Sequence, residues 1–186
     1  MVGNIFFPMS DKASLFIDGG YLARILKDSF SEARIDFGKL SDEVCSKVDC
    51  FRLRTYYYTC EPFMREKNEK DIQKQASFQK FISKLKRLPR FEVKLGRLQL
   101  INGTFKQKMV DVLMSLDIST MSYENQVQHI IIIAGDSDFI PAIRNAKSYG
   151  TIIHLFYHPS SVHNDLLDHV DERYEITKEL IDKIKA

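Results

Sequence analysis

Short, uninterrupted apolar runs separated by amphipathic stretches set the rhythm of the chain. Ala13 to Asp18 (ASLFID) closes on an acid and then Gly19-Gly20, which predicts a buried strand, a tight turn and a helix over Tyr21 to Phe30. Leu40, Val44 and Val48 recur at four-residue spacing and predict a second helix. Phe51 to Thr59 (FRLRTYYYT) is aromatic and β-branched, hence a strand, and Pro62 closes it. Over Arg65 to Leu88 the residues Phe78, Phe81, Ile82, Leu85 and Leu88 make one apolar stripe of a long helix. Lys80, Lys84 and Arg87 line another face. Phe91 to Leu100 and the return after Asn102-Gly103 read as a hairpin, because Asn-Gly suits its turn.

Lys108 to Met121 predicts a further helix, and His129 to Ala134 is an apolar run of strand length. Gly135-Asp136-Ser137 leads into a helix over Phe139 to Tyr149, ended by Gly150, and Thr151 to Tyr157 is another strand. His158 to Ser161 form a loop before helical segments and a short strand around Arg173 to Ile176. Strands alternating with helices, built from continuous apolar runs, predict an α/β fold with a mainly parallel central sheet covered on both faces. The chain has 186 residues, 44% hydrophobic and 28% charged, the proportions of an ordinary globular protein. One domain is expected over 13–178, with an N-terminal extension at 1–12, a basic helix-plus-hairpin segment at 65–108 and a helix end at 179–186.

The net charge of +2 suggests indifference to polyanions until it is divided along the chain. Arg65 to Lys108 carries 13 Lys+Arg against 4 Asp+Glu, a balance of +9, which leaves −7 for the rest. A basic flank next to an acidic body can neutralise phosphates on one side and hold a cation on the other; a solvated helix face is the plainer alternative. Cys45, Cys50 and Cys60 form no Cys-x-x-Cys pair and are expected as free, mostly buried thiols in a cytoplasmic protein. No run approaches the roughly 20 apolar residues of a membrane span, and no signal peptide is expected.

Two apolar strands end in acid: Phe16-Ile17-Asp18 and Ile133-Ala134-Gly135-Asp136-Ser137-Asp138. In an open parallel sheet the loops at the carboxyl ends of the strands converge on one crevice. Neighbouring strands would therefore bring Asp18, Asp136 and Asp138 together, where carboxylates repel unless a cation lies among them. Oxygen-only donors suit Mg²⁺ or Mn²⁺. The alternative is that Asp136 and Asp138 cap the following helix.

Three blocks then carry a family resemblance. Phe16-Ile-Asp-Gly-Gly-Tyr-Leu22, Lys108-Met-Val-Asp-Val-Leu-Met-Ser-Leu-Asp117 and Gly135-Asp-Ser-Asp-Phe-Ile-Pro-Ala-Ile143 resemble, in order, the signature blocks of NYN domains, which are PIN-like nucleases, with the LabA-like branch nearest. The resemblance spans Ala13 to Thr177 and implies a Rossmann-like three-layer fold and an acidic pocket that binds Mg²⁺ or Mn²⁺ for cleavage of RNA, single-stranded or structured. It assigns Asp18, Asp111, Asp136 and Asp138 as catalytic and metal-binding acids. It places Ser137 near metal or phosphate, and Lys108 one helical turn before Asp111, toward substrate charge. Many relatives have Asn where Tyr21 stands, and Gly where Met109 stands. Metal-assisted hydrolysis by this cluster needs no Ser or Cys nucleophile.

Asp117 falls on the apolar face with Val110 and Leu113 and reads as a structural acid or a second-layer partner of the site. Lys80, Lys84 and Arg87 are the expected phosphate contacts on the long helix. His154, His158, His163 and His169 match no zinc spacing. Ser160 and Ser161, after Pro159, read as a plain turn, with contact to a phosphate as the alternative. Tyr56, Tyr57 and Tyr58 alternate faces on a strand and so read mostly as core. Exposed apolar faces around the long helix could support a homodimer. The rival functions are a non-catalytic RNA-binding module and a haloacid-dehalogenase-type phosphatase. The second is disfavoured because Gly19-Gly20 follows Asp18 where that chemistry needs a further Asp.

Overall fold

The computed structural model describes residues 11–63, 68–101 and 104–186, with the backbone alone at 97–101 and 104–108. In chain order the elements are β1 (Lys12–Asp18), α1 (Gly19–Ser29), α2 (Phe37–Lys47), β2 (Phe51–Cys60), α3 (Glu69–Lys86), β3 (Phe91–Ile101) and β4 (Thr104–Lys108). They continue as α4 (Val110–Tyr123), β5 (His129–Ile133), α5 (Ile140–Ser148), β6 (Ile152–Tyr157), α6 (Asn164–Leu167), β7 (Glu172–Glu175) and α7 (Lys178–Lys183).

The strands form one sheet in the order β4-β3-β2-β1-β5-β6-β7. Every pair is parallel except β3–β4, where the hairpin puts one antiparallel strand at the edge. β1 lies at the centre, with Phe16 between Tyr56 and Ile132 and with Ile17 opposite Ile133. Both faces are covered, as the continuous apolar runs require. Phe16, Tyr58, Ile130 and Ile132 pack against Met114 and Ile118 of α4 and Ile143 of α5. Leu15, Ile17, Tyr57 and Ile131 pack on the other face against Leu22 and Ile25 of α1, Val44 of α2 and Leu85 of α3. The three tyrosines are buried and alternate between the faces, as their strand positions predict. The described core is thus two apolar layers on one sheet, an α/β three-layer fold.

Several boundaries differ from the sequence expectation for local reasons. No separate turn follows β1: Gly19 is already helical, because the Asp18 side chain caps α1. Asp36 caps α2 in the same way and starts it at Phe37 rather than Leu40. α3 starts at Glu69 behind the Asn68 cap; the expected first turn at 64–67 lies outside the described residues, as does the Asn102-Gly103 turn. Lys108 is the last residue of β4, opposite Arg97, so it is not on the helix that carries Asp111. Met109 makes the junction in a left-handed conformation, φ 76°. The His158 to Ser161 loop contains a single 3-10 turn at Pro159–Ser161.

Among the described residues, the exposed large apolar side chains include Ile72 on α3, and Met109, Val112, Leu116 and Tyr123 at or along α4. Cys45, Cys50 and Cys60 are free, two buried and one half-buried. No helix among the described residues is long and apolar enough to cross a membrane.

Candidate active site

Parallel pairing of β1 with β5 and of β5 with β6 delivers three chain reversals to one edge of the sheet. There they enclose a polar cleft of about 270 Å³ lined by Asp18, Tyr21 and Arg24 from the first reversal, Gly135 and Asp136 from the second, and Ser160 to His163 from the third. Asp18 stands at the end of β1. Its Oδ1 accepts hydrogen bonds from the amides of Gly20 (2.9 Å) and Tyr21 (3.1 Å), and its Oδ2 accepts none among the described residues. Asp136 Oδ1 accepts the amide of Asp138 at 3.0 Å. The helix-cap alternative therefore holds for Asp136 in the literal sense, since it caps the 3-10 turn leading into α5. The cap nevertheless lines the cleft, and its Oδ2 accepts no hydrogen bond among the described residues.

The cleft owes its closeness to two glycines and a tyrosine. A Cβ on Gly135 would stand 2.2 Å from the carbonyl oxygen of Ser161 and 2.4 Å from Cε2 of Tyr21, so only glycine fits. The Tyr21 ring is buried, and its hydroxyl accepts the His158 amide at 2.8 Å. The amide of His163 donates to the Gly135 carbonyl at 3.0 Å. Tyr21 thus ties the first reversal to the third. On the other side of α1, a Cβ on Gly19 would meet the Tyr57 ring tip at 2.5 Å and the Tyr58 carbonyl at 2.7 Å, so α1 sits directly against β2.

Charge is crowded around this edge. Burial pushes the Asp18 carboxyl above the ordinary carboxylate range and the Asp111 charge adds to the rise, against the Tyr21 and Gly20 amides and the Arg24 guanidinium. Loss of solvent also raises Asp111, with further contributions from Asp136 and Asp138. Two carboxylates raised first by burial and then by neighbouring acids are an electrostatic setting that a divalent cation relieves. The donor set is all oxygen, which fits Mg²⁺ or Mn²⁺. Among the described residues, however, no three His, Cys, Asp or Glu side chains are grouped closely enough to share an ion. That too is compatible with Mg²⁺, which usually takes one or two carboxylates and completes its shell with water and substrate phosphate.

The other expected residues separate into those near this edge and those away from it. Asp111 opens α4 and is coupled by charge to Asp18, Asp136 and Asp138, but Asp111, Ser137 and Asp138 do not line the cleft itself. The Lys108 side chain lies outside the described residues. Asp117 is half-buried and turned to another partner set: Oδ2 accepts the Tyr58 hydroxyl at 2.6 Å and pairs with Lys94 at 2.7 Å. Lys80 and Lys84 are exposed on α3 and Arg87 is its C-terminal cap; none lines the cleft, and all three border an open groove of their own. Of the histidines, His163 lines the cleft, His158 caps the 3-10 turn, His169 meets Arg144 and buried His154 stacks on His129. Sequence reasoning missed Arg24 and His163. Arg24 had a usable signal, since it falls three residues after Tyr21 on the helix that Asp18 caps, hence on the same stripe. His163 had none, because its place depends on how the third reversal folds back.

A family model described as the NYN domain matches residues 12–177. A crystal structure of a protein of unknown function from Vibrio parahaemolyticus is similar in fold, with a TM-score of 0.68 at 17% identity over 97% of this chain and 99% of that one. An aureusimine biosynthetic cluster reductase domain aligns with a TM-score of 0.30 at 12% identity, over 83% of this chain and 33% of that one. No curated protein matches.

Proposed function

The chain belongs to the NYN domain family, whose members are PIN-like, nuclease-type hydrolases that generally use divalent metals, and from that premise we propose that it is a metal-dependent ribonuclease. The observation that carries this reading is the meeting of Asp18 and Asp136 in one polar cleft at the carboxyl ends of adjacent strands, with Asp111 coupled to both by charge. The Oδ2 atoms of Asp18 and Asp136, which accept no hydrogen bond among the described residues, would hold Mg²⁺ or Mn²⁺, with Asp111 and Asp138 adding negative charge nearby. When bound, such an ion activates water and offsets charge on phosphate oxygens. Arg24, on the helix that Asp18 caps, would orient a phosphate in the cleft. Ser160 Oγ and the ring of His163 would hydrogen-bond the strand on its far side. Ser137 is a weaker candidate for phosphate, since it does not line the cleft. Asp117 supports β2 and β3 through Tyr58 and Lys94 rather than the acids.

The test is incubation of the purified protein with end-labelled RNA and with a phosphomonoester, each in Mn²⁺, Mg²⁺ or chelator. RNA cleavage that needs the divalent ion is expected, with no release of phosphate from the monoester. Asp18→Asn and Asp136→Asn each keep a cap, because an amide oxygen accepts the same backbone N–H. Both should lose cleavage by about a hundredfold or more. Undiminished cleavage by both variants would sink the assignment. A second reading, a non-catalytic RNA-binding module, is favoured by the absence of a three-carboxylate group among the described residues. Binding of RNA without turnover in any metal would decide for it.

A further inference from the structure

A second cavity lies on the other side of α1, and nothing in the catalytic reading uses it. It encloses about 410 Å³ and is walled by Leu22, Leu26, Phe37, Tyr57, Phe81 and Leu88, among others. Three of these rings meet edge to face: Phe37 with Tyr57 at 5.4 Å, Phe37 with Phe81 at 5.5 Å and Tyr57 with Phe81 at 5.7 Å between centroids. An apolar, aromatic cavity of this size with a few polar groups at its mouth is built for a flat organic group. Its polar groups are Arg34, Asp36 and Lys84. The Asp36 Oδ1 accepts the Gly38 and Lys39 amides, and its charge also acts on Lys84, so Arg34 and Lys84 are the cationic groups at the mouth, the second partly balanced by Asp36. Lys84 and Leu88 also border the neighbouring open groove, where Lys80 and Arg87 stand. None of Lys80, Lys84 and Arg87 has an ion pair among the described residues.

We propose that this cavity accepts one unstacked base of a single-stranded RNA whose adjoining phosphates run along Lys84, Lys80 and Arg87. The inference rests on the ribonuclease reading above and adds where the strand is gripped away from the acids. Charge complementarity selects the occupant: a purely apolar partner answers neither Lys80 nor Arg87 and leaves Lys84 with the charge of Asp36 beyond ion-pair distance, and a free anion leaves the aromatic chamber empty. A nucleotide within a strand satisfies both, through stacking on rings and phosphate at the rim. The two sites are also neighbours through α1. Tyr21 and Arg24 face the acidic cleft while Leu22, Ala23 and Leu26 face the cavity, so one helix about 10 Å wide separates them. A strand crossing the start of α1 would place a phosphate in the cleft and a nearby base in the chamber.

The test measures binding of a short single-stranded RNA carrying 2-aminopurine, in chelator so that cleavage plays no part. Wild-type protein should quench the base, and Ala23→Phe, which fills the cavity from an exposed helix position, should weaken binding about tenfold or more. Phe81→Ala should act in the same direction by removing one wall. Melting temperature shows that each variant is folded, and Ala23→Phe leaves the buried core untouched if Phe81→Ala does not fold. Unchanged affinity in a folded Ala23→Phe, while wild-type protein still binds and cleaves RNA, overturns this inference and leaves the ribonuclease reading standing. A mononucleotide that binds as tightly as the strand also overturns it, in favour of a small-molecule site. Failure of wild-type protein both to bind and to cleave removes the reading on which the inference rests.

Discussion

Asp18 carries opposing demands within one carboxylate. Its Oδ1 caps α1 through two amides, which favours the charged form, yet burial and the Asp111 charge disfavour it more, and the net pKa is raised. An acid whose pKa is higher in the folded chain than in the unfolded one binds its proton more tightly when folded. Its contribution to stability therefore falls as pH rises through the interval above the ordinary value of 3.8, and the penalty is complete above the raised value. At neutral pH and without divalent ions, Asp18→Asn should raise the melting temperature. The difference should close as pH is lowered toward that ordinary value. Scanning calorimetry across pH checks both halves, and an Asp18→Asn protein less stable than wild type at neutral pH would overturn the account. A group held against stability in this way is typical of a site kept for function. The acids at strand ends were legible from the residues alone, because an apolar run that stops at Asp has to present that Asp at the sheet edge. Their electrostatic coupling was not, since it depends on which strands are neighbours.

At the scale of elements, the start of α4 shows what pattern reading can and cannot reach. Periodicity located the helix, and Val110, Met114, Ile118 and Met121 are its buried stripe. Its first turn was misread, because the hairpin strand β4 runs on to Lys108 and a single residue, Met109, reverses the chain at φ 76°. A side chain with a Cβ is disfavoured there by roughly 1–2 kcal/mol, so the position suits glycine better than methionine. Met109→Gly should raise the melting temperature by about 1–3 °C, after the extra freedom of glycine in the unfolded chain is subtracted from the relief of strain. The Met109 side chain is 46% exposed, so little packing is lost. Destabilisation by that substitution would show that the methionine side chain, not its backbone, matters at the junction. The caps of α1 and α2 follow the same lesson. Asp18 and Asp36 lie in plain view, but a cap is recognised only once the chain behind it is seen to be extended.

For the whole molecule, the informative quantity is the division of charge, not its sum. The parallel sheet gathers Asp18, Asp111, Asp136 and Asp138 around its central strands, while α3 packs beside β3 toward one end of the sheet and carries Lys80 and Lys84 exposed, with Arg87 as its C-terminal cap. Alternating strands and helices made that architecture readable, and the run of basic residues made the flank readable. The apolar cavity between them was not readable, because its walls come from α1, α2, β2 and α3 and each wall residue alone passes for core. The division has a measurable consequence for binding. Each phosphate neutralised on a single strand releases condensed counterions and steepens the dependence of log K on log salt by about 0.7. Neutralising Lys80, Lys84 and Arg87 together to Gln should therefore flatten that slope by about 2, as three lost phosphate contacts require. The same variant should keep the wild-type rise in melting temperature on adding Mn²⁺, because none of the three lines the acidic cleft. Titrations at several salt concentrations in chelator give the slope, and thermal melts with and without Mn²⁺ give the second reading. An unchanged slope would mean that α3 is a solvated face and that the strand takes another path. A lost response to Mn²⁺ would mean that the acidic and basic halves are not the separate devices their positions imply.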